Sequence, residues 1–237
     1  MKKSEVLDNN MNHLLESLRA LNSNQQIEKI KEIDQNEPNS NEILICFLKD
    51  RRHTYDNFPS YVDGFAYQTI CQNNYSEIKL SLESEFPSGI IALNTAKNMD
   101  YDDLQNLLIH KKFQQADKVT QEKLRTLAEV QNREWLYFTD IQKIPEVDLQ
   151  TIDKLWRIYS LDKFGFSVQR KIWLQLGKNW MALWPKIGWQ VNDNLCRYPN
   201  EFVWDLSGPK GHLPLFNQLR GVQVLSALFN HKVWDYN

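Results

Sequence analysis

The chain reads as an all-α protein, and three observations carry that reading. Apolar residues recur at three- and four-residue spacing along most of its 237 residues. No convincing run of alternating strand pattern interrupts them. Eight glycines and eight prolines are too few for a many-turned β architecture. A composition of 42% hydrophobic and 24% charged residues is that of an ordinary globular chain, long enough for one large or two modest domains.

Residues 1–86 read as a bundle of short amphipathic helices. "MNHLLESLRAL" puts Leu14, Leu15, Leu18 and Leu21 on one stripe. "EILICFLKD" and "VDGFAYQTI" follow as compact apolar helices, separated by Asn, Asp, Ser and Pro. No 33–34-residue repeat with recurring signature positions is evident, although stacked helical hairpins remain open. Scaffolding or partner contact is the expected job of this half.

"FPSGIIALNTAKNMD" breaks the pattern with Pro87, Ser88 and Gly89, so the domains are expected at 1–86 and 87–237. Beyond it, Leu104, Leu107, Leu108, Phe113, Val119, Leu124 and Leu127 suit two helices on either side of "HKK" at 110–112. A helix follows Pro145, with Leu149, Ile152, Leu155, Trp156 and Tyr159 on one face. The next is expected to take Ser167 as N-cap and to turn Val168, Ile172, Trp173 and Leu176 inward. The last is expected to start at Pro214 and run through "LPLFNQLRGVQVLSALFNH". Asn217, Arg220, Gly221 and Val224 would then share one side.

Several chemistries are disfavoured. A net charge of −2 gives no general pull toward nucleic acid or anionic membrane. Cys46, Cys71 and Cys196 are odd in number and far apart, without a CxxC, which suits a reducing compartment. No apolar run approaches the roughly 18 residues of a span. The N-terminal stretch lacks a secretory core and makes a poor transit peptide. "GPKGH" at 208–212 lacks the P-loop order, and Pro209 removes a backbone donor. No metal-ligand spacing links His212, Asp205 and Cys196, so His212 is expected to brace its loop. There is no GxSxG.

Aromatic density combined with local charge stands out. Between 164 and 220 lie seven Lys or Arg against three acids, with Trp173, Trp180, Trp184, Trp189, Tyr198 and Trp204 among them. Such a surface suits a flat apolar ligand with acidic arms, its faces covered by rings and its carboxylates held by arginine. Single-stranded nucleic acid would also suit it. A Trp-rich core under a solvated basic face is the plainer alternative.

Five ordered motifs resemble the genomes-uncoupled-four family. They are Phe113, Ala116, Asp117, Thr120 and Leu124; "WLYFT" at 135–139; the stretch 148–173; "WPKIGW" at 184–189; and 204–221 with "WDLS", "GHLPL" and "NQLRG". The resemblance covers about residues 86–234, and the preceding helices resemble the N-terminal bundle of cyanobacterial and red-algal plastid members. It implies a helical core shaped like a cupped hand that holds protoporphyrin IX or Mg-protoporphyrin IX. It also implies a non-enzyme with no obligatory cofactor, which activates magnesium chelatase in chlorophyll biosynthesis by meeting its large H subunit. By the same resemblance Phe113 and Phe138 help form the hollow; Trp189, Trp204 and Leu213 are expected as further porphyrin-binding residues. Arg197 and Tyr198 sit on a ligand-contacting loop. Asn217 and Arg220 face the macrocycle, Asn217 near a porphyrin magnesium, with no metal held by protein alone. A monomer is expected, with no nucleic-acid partner and with room for peripheral membrane association. The expected location is the plastid stroma of a plastid-encoded protein, or else a cyanobacterial cytoplasm. Tyr198 and Leu195 depart from aromatics common in relatives. A ligand-free helical interaction adaptor is the alternative function.

Overall fold

The structure is a computed structural model that describes residues 2–54, 59–73, 75–130, 132–216 and 222–235, without the side chains of 2–10, 54, 75–77 and 79. It divides into two compact units, Met1–Ile91 and Ala92–Asn237. Among the described residues there are twelve α-helices and one two-stranded hairpin, so the fold is all-α.

The first unit contains α1 (Lys2–Ala20), α2 (Ser23–Asn36), α3 (Ser40–Thr54), α4 (Tyr61–Gln72) and α5 (Tyr75–Glu85). Helix α3 is central and packs on the other four. Its Leu44, Phe47 and Leu48 are buried with Leu18, Ile30, Ile70 and Leu82 of its neighbours. Each such aliphatic contributes about 1.5–3 kcal/mol by leaving water. Capping boxes start two helices: Asn22 with Gln25 begins α2, and Ser60 with Asp63 begins α4. Arg51 of α3 grips Asp63 from Nε at 2.5 Å and reaches Ser60 Oγ at 3.0 Å, tying α3 to the start of α4.

The second unit contains α6 (Asp102–Ile109), α7 (Phe113–Leu127), α8 (Phe138–Ile141), α9 (Glu146–Ile158), α10 (Phe166–Gln175), α11 (Trp180–Lys186), β1 (Gln190–Val191), β2 (Asn194–Leu195) and α12 (Gln223–Phe229). A 3-10 turn follows at Lys232–Trp234. Helix α9 is the hub, packing on α6, α10 and that turn. Its Leu149, Ile152, Leu155 and Trp156 are fully buried, and Pro145 stands at its N-cap. Fully buried Asp148 accepts bonds from Thr95 Oγ1, Ala96 N–H and the Tyr101 hydroxyl, at 2.6, 3.0 and 2.8 Å. One carboxylate thereby pins the extended segment before α6.

Three elements differ from their sequence-based expectation. Ser167 is not the N-cap of α10. Gly165 holds that position, and Asp153 of α9 takes both the Ser167 N–H (2.8 Å) and its hydroxyl (2.5 Å). A neighbouring helix thus supplies the cap. Hairpin β1–β2, with Gln190 opposite Leu195, was not expected. Each strand has only two residues, and Asn192 and Asp193 turn it with positive φ, too short a pattern for alternation to show. The final helix does not start at Pro214: residues 214–216 are non-helical, and α12 begins at Gln223. The reason is competition for backbone groups. The carbonyls of Leu213, Pro214 and Leu215 accept from Gly165 N–H, Gln169 Nε2 and Gln121 Nε2, and the Leu215 N–H donates to Asp117. Partners from outside the segment thus hold its backbone.

Candidate functional site

The stretch from Trp204 to Pro214 is a shaped loop docked on three elements. Lys163 Nζ donates to Leu206 O at 2.5 Å, and the Lys163 carbonyl accepts the Gly211 N–H at 2.9 Å. Fully buried Gln169 of α10 spreads its amide over Gly211 O and Pro214 O, at 3.0 and 2.8 Å. Gly188 adopts φ +71°, and a Cβ there would stand 2.7 Å from Pro209 Cγ. Close packing between the α11–β1 turn and this loop therefore requires glycine.

His212 lies at the centre of the loop and is 1% exposed. Its Nε2 accepts from Val203 N–H at 3.0 Å, so its Nδ1 carries the proton and donates to Ile187 O at 2.7 Å. Burial holds its pKa below the ordinary histidine value, so the ring is neutral. With both nitrogens occupied by backbone, His212 acts as a brace. Trp189 is fully buried, stacks on Trp184 at 5.6 Å and 7°, and donates its indole N–H to His212 O at 2.8 Å. The stack continues through Trp180 to Trp173 and Phe229.

The residues singled out by sequence separate into two sets. Phe113 and Leu213 are buried; Phe113 packs between Trp156 and Phe164. Trp189 joins this interior set, forming a wall behind the surface. Arg197 and Tyr198 are exposed after β2, and Tyr198 packs edge-on against half-buried Trp204 at 5.8 Å. Trp204 in turn donates to Pro199 O at 2.9 Å. Val191, Leu195 and Val203 add exposed apolar surface on the same hairpin and loop. Phe138 is 49% exposed at the start of α8, beside exposed Tyr137. Arg133 holds this corner, with its guanidinium 4.3 Å from the Tyr137 ring centroid and paired to buried Asp140 at 2.5 Å. Asn217 and Arg220 lie outside the described residues.

One residue of the site escaped sequence reasoning except as a motif letter. Asp117 is 2% exposed on the apolar face of α7, in line with Phe113, Ala116, Thr120 and Leu124. Its Oδ1 accepts from Leu215 N–H at 2.7 Å, and burial pushes its carboxyl up to about 7. A lone acid inside an apolar helical stripe was the available signal. A polar groove of about 570 Å³ at the end of α7 is lined by Glu122, Arg125, Thr126, Val130, Asn132, Arg133 and Glu134, and none of the 196–216 residues lines it. Among the described residues there is no cluster of three or more His, Cys, Asp or Glu that could hold a metal ion. Nor is any described helix long and apolar enough to cross a membrane.

Fold and site together define an all-α protein of two units, the second presenting exposed aromatic and cationic side chains on a loop locked to a tryptophan-rich core. The chain belongs to the GUN4-like family, whose profile matches residues 94–232, while an ARM-like repeat domain of the GUN4 N-terminus matches residues 3–87. It is 50% identical over 230 residues to the ycf53 protein of Pyropia yezoensis, covering 96% of this chain and 92% of that one. It is 38% identical over 142 residues to the chloroplastic tetrapyrrole-binding protein of Arabidopsis thaliana, covering 55% of this chain and 54% of that one. The structure of GUN4 from Chlamydomonas reinhardtii superposes with a TM-score of 0.57 at 37% identity, covering 60% of this chain and 95% of that chain.

Proposed function

We propose that this protein binds protoporphyrin IX and Mg-protoporphyrin IX without catalysing a reaction on them, and that it activates magnesium chelatase through its H subunit in a plastid. The observation that carries the reading is the exposed ring-and-cation loop, Arg197 and Tyr198 with Trp204, on a chain of the GUN4-like family. A relative in that family is named for tetrapyrrole binding. A porphyrin is flat and apolar with two propionates. Aromatic faces and aliphatic side chains suit its ring, and guanidinium groups suit its carboxylates. The rigid wall behind the loop supplies preorganisation, which lowers the entropy lost on binding. Phe138 offers a second apolar contact, and Asn217 and Arg220 are the proposed polar contacts from the segment after Phe216. Arabidopsis chloroplasts and red-algal ycf naming support a plastid location.

The test is a protoporphyrin titration followed by tryptophan emission. Saturable quenching that survives dialysis is expected; an unchanged spectrum would defeat the proposal. Arg220→Ala should weaken binding by roughly tenfold or more while the protein stays folded, because a charge-assisted bond is lost. Chelatase assays with and without added protein then decide the activation step. The ARM-like N-terminal match favours a second reading, an interaction adaptor without a ligand. That reading expects capture of the H subunit in the absence of porphyrin, and no quenching.

A further inference from the structure

Helix α7 grips one residue of the loop through both of its backbone groups. Asp117 and Gln121 stand four residues apart, on the same face of the helix. Asp117 Oδ1 accepts the Leu215 N–H, and Gln121 Nε2 donates to the Leu215 carbonyl. Leu215 is the residue at which the chain leaves the wall formed by Leu213 and Phe216, both at most 1% exposed. Burial, with the charge of Asp117 adding to it, pushes the hydroxyl of Tyr198 on the ligand loop up. The buried carboxyl of Asp117 thus holds the 213–216 wall directly, through the Leu215 N–H.

We propose that Asp117 and Gln121 are positioning residues for the porphyrin site, and that the charge on Asp117 sets how firmly the Leu215 wall is held. This rests on the porphyrin reading above. A carboxylate accepts the Leu215 N–H through a charge-assisted bond, while a neutral acid accepts it through an ordinary one. Burial pushes the carboxyl of Asp117 up to about 7, so its charge changes between pH 6 and pH 8. The causes of its shift are burial, which raises it, and the Leu215 N–H, which lowers it; Tyr198, raised above its ordinary value, is neutral between pH 6 and pH 8. The wall is therefore gripped harder above pH 7 than below it, and affinity for the ligand follows.

The experiment compares wild type, Asp117→Asn and Gln121→Met in the full chain, at pH 6 and pH 8. Asn keeps the acceptor and removes the charge; Met keeps the length and removes the donor. The first measurement is amide exchange of Leu215 in the ligand-free protein. Asp117→Asn should exchange about fivefold faster than wild type at pH 8 and at nearly the same rate at pH 6. The second is protoporphyrin affinity. Wild type should bind about fivefold more tightly at pH 8 than at pH 6, beyond the change seen in Asp117→Asn. Gln121→Met should weaken binding at both pH values while leaving the melting transition cooperative. Equal exchange ratios at the two pH values, or an Asp117→Asn affinity that tracks wild type throughout, would overturn the clasp. Failure of wild type to bind protoporphyrin at any pH would instead overturn the porphyrin reading, and the exchange ratio would still judge the clasp.

Discussion

At the scale of single residues, two buried titratable groups pull the stability profile in opposite directions. Asp117 titrates higher in the folded protein than its ordinary 3.8, near 7, so it contributes stability at low pH that is lost as pH rises from about 4 to about 7. Asp117→Asn should abolish that loss and stabilise the protein at pH 8, by at most about 4 kcal/mol; denaturant titrations at pH 5 and pH 8 check it. His212 titrates lower than its ordinary 6.5, so its contribution is present above that value and is lost as pH falls below it. His212→Ala leaves the Val203 N–H and Ile187 O without their ring partners and should cost about 2–4 kcal/mol at pH 8. The role of His212 was legible from sequence, since a histidine amid glycines and prolines without ligand spacing reads as a brace. That of Asp117 was not, because its partner lies 98 residues away.

At the scale of elements, sequence periodicity found the helices but misread their ends. The faces of α7 and α9 follow from spacing alone, because their apolar stripes are long. The start of α10 does not, because its cap comes from Asp153 on another helix. Asp153→Ala should therefore destabilise the protein by about 1–2 kcal/mol, as loss of a local N-cap would, and a chemical melt reads it. The non-helical run 214–216 was hidden for the same kind of reason: apolar spacing persists through it, while side chains from α7 and α10 take its backbone groups. Glycine spacing in "WPKIGW" gave no hint of a contact with Pro209. Gly188→Ala should cost about 2–3 kcal/mol, through positive φ plus overlap with that ring, and a thermal melt should show it.

At the scale of the whole molecule, the two units carry different chemistry. The Chlamydomonas structure is matched over 95% of its length by 60% of this chain. Expressed alone, residues 92–237 are therefore expected to fold and to retain protoporphyrin quenching, as circular dichroism and one titration would show. Loss of binding in that fragment would assign part of the ligand site to the first unit. The change in tryptophan usage and the break at Pro87 and Gly89 led to an expected division at 86/87, whereas the compact units divide at 91/92. The detailed shape of the ligand face was not legible in the sequence, since it depends on loops whose bonds are non-local. The uneven tryptophan distribution also has an optical consequence. All eight indoles belong to the second unit, four of them in a chain with neighbouring rings 4.8 to 5.7 Å apart. Light absorbed only by indole thus interrogates the core and its ligand face, and the helical repeat unit is dark to it. The molecule carries its own probe on the half proposed to meet a pigment.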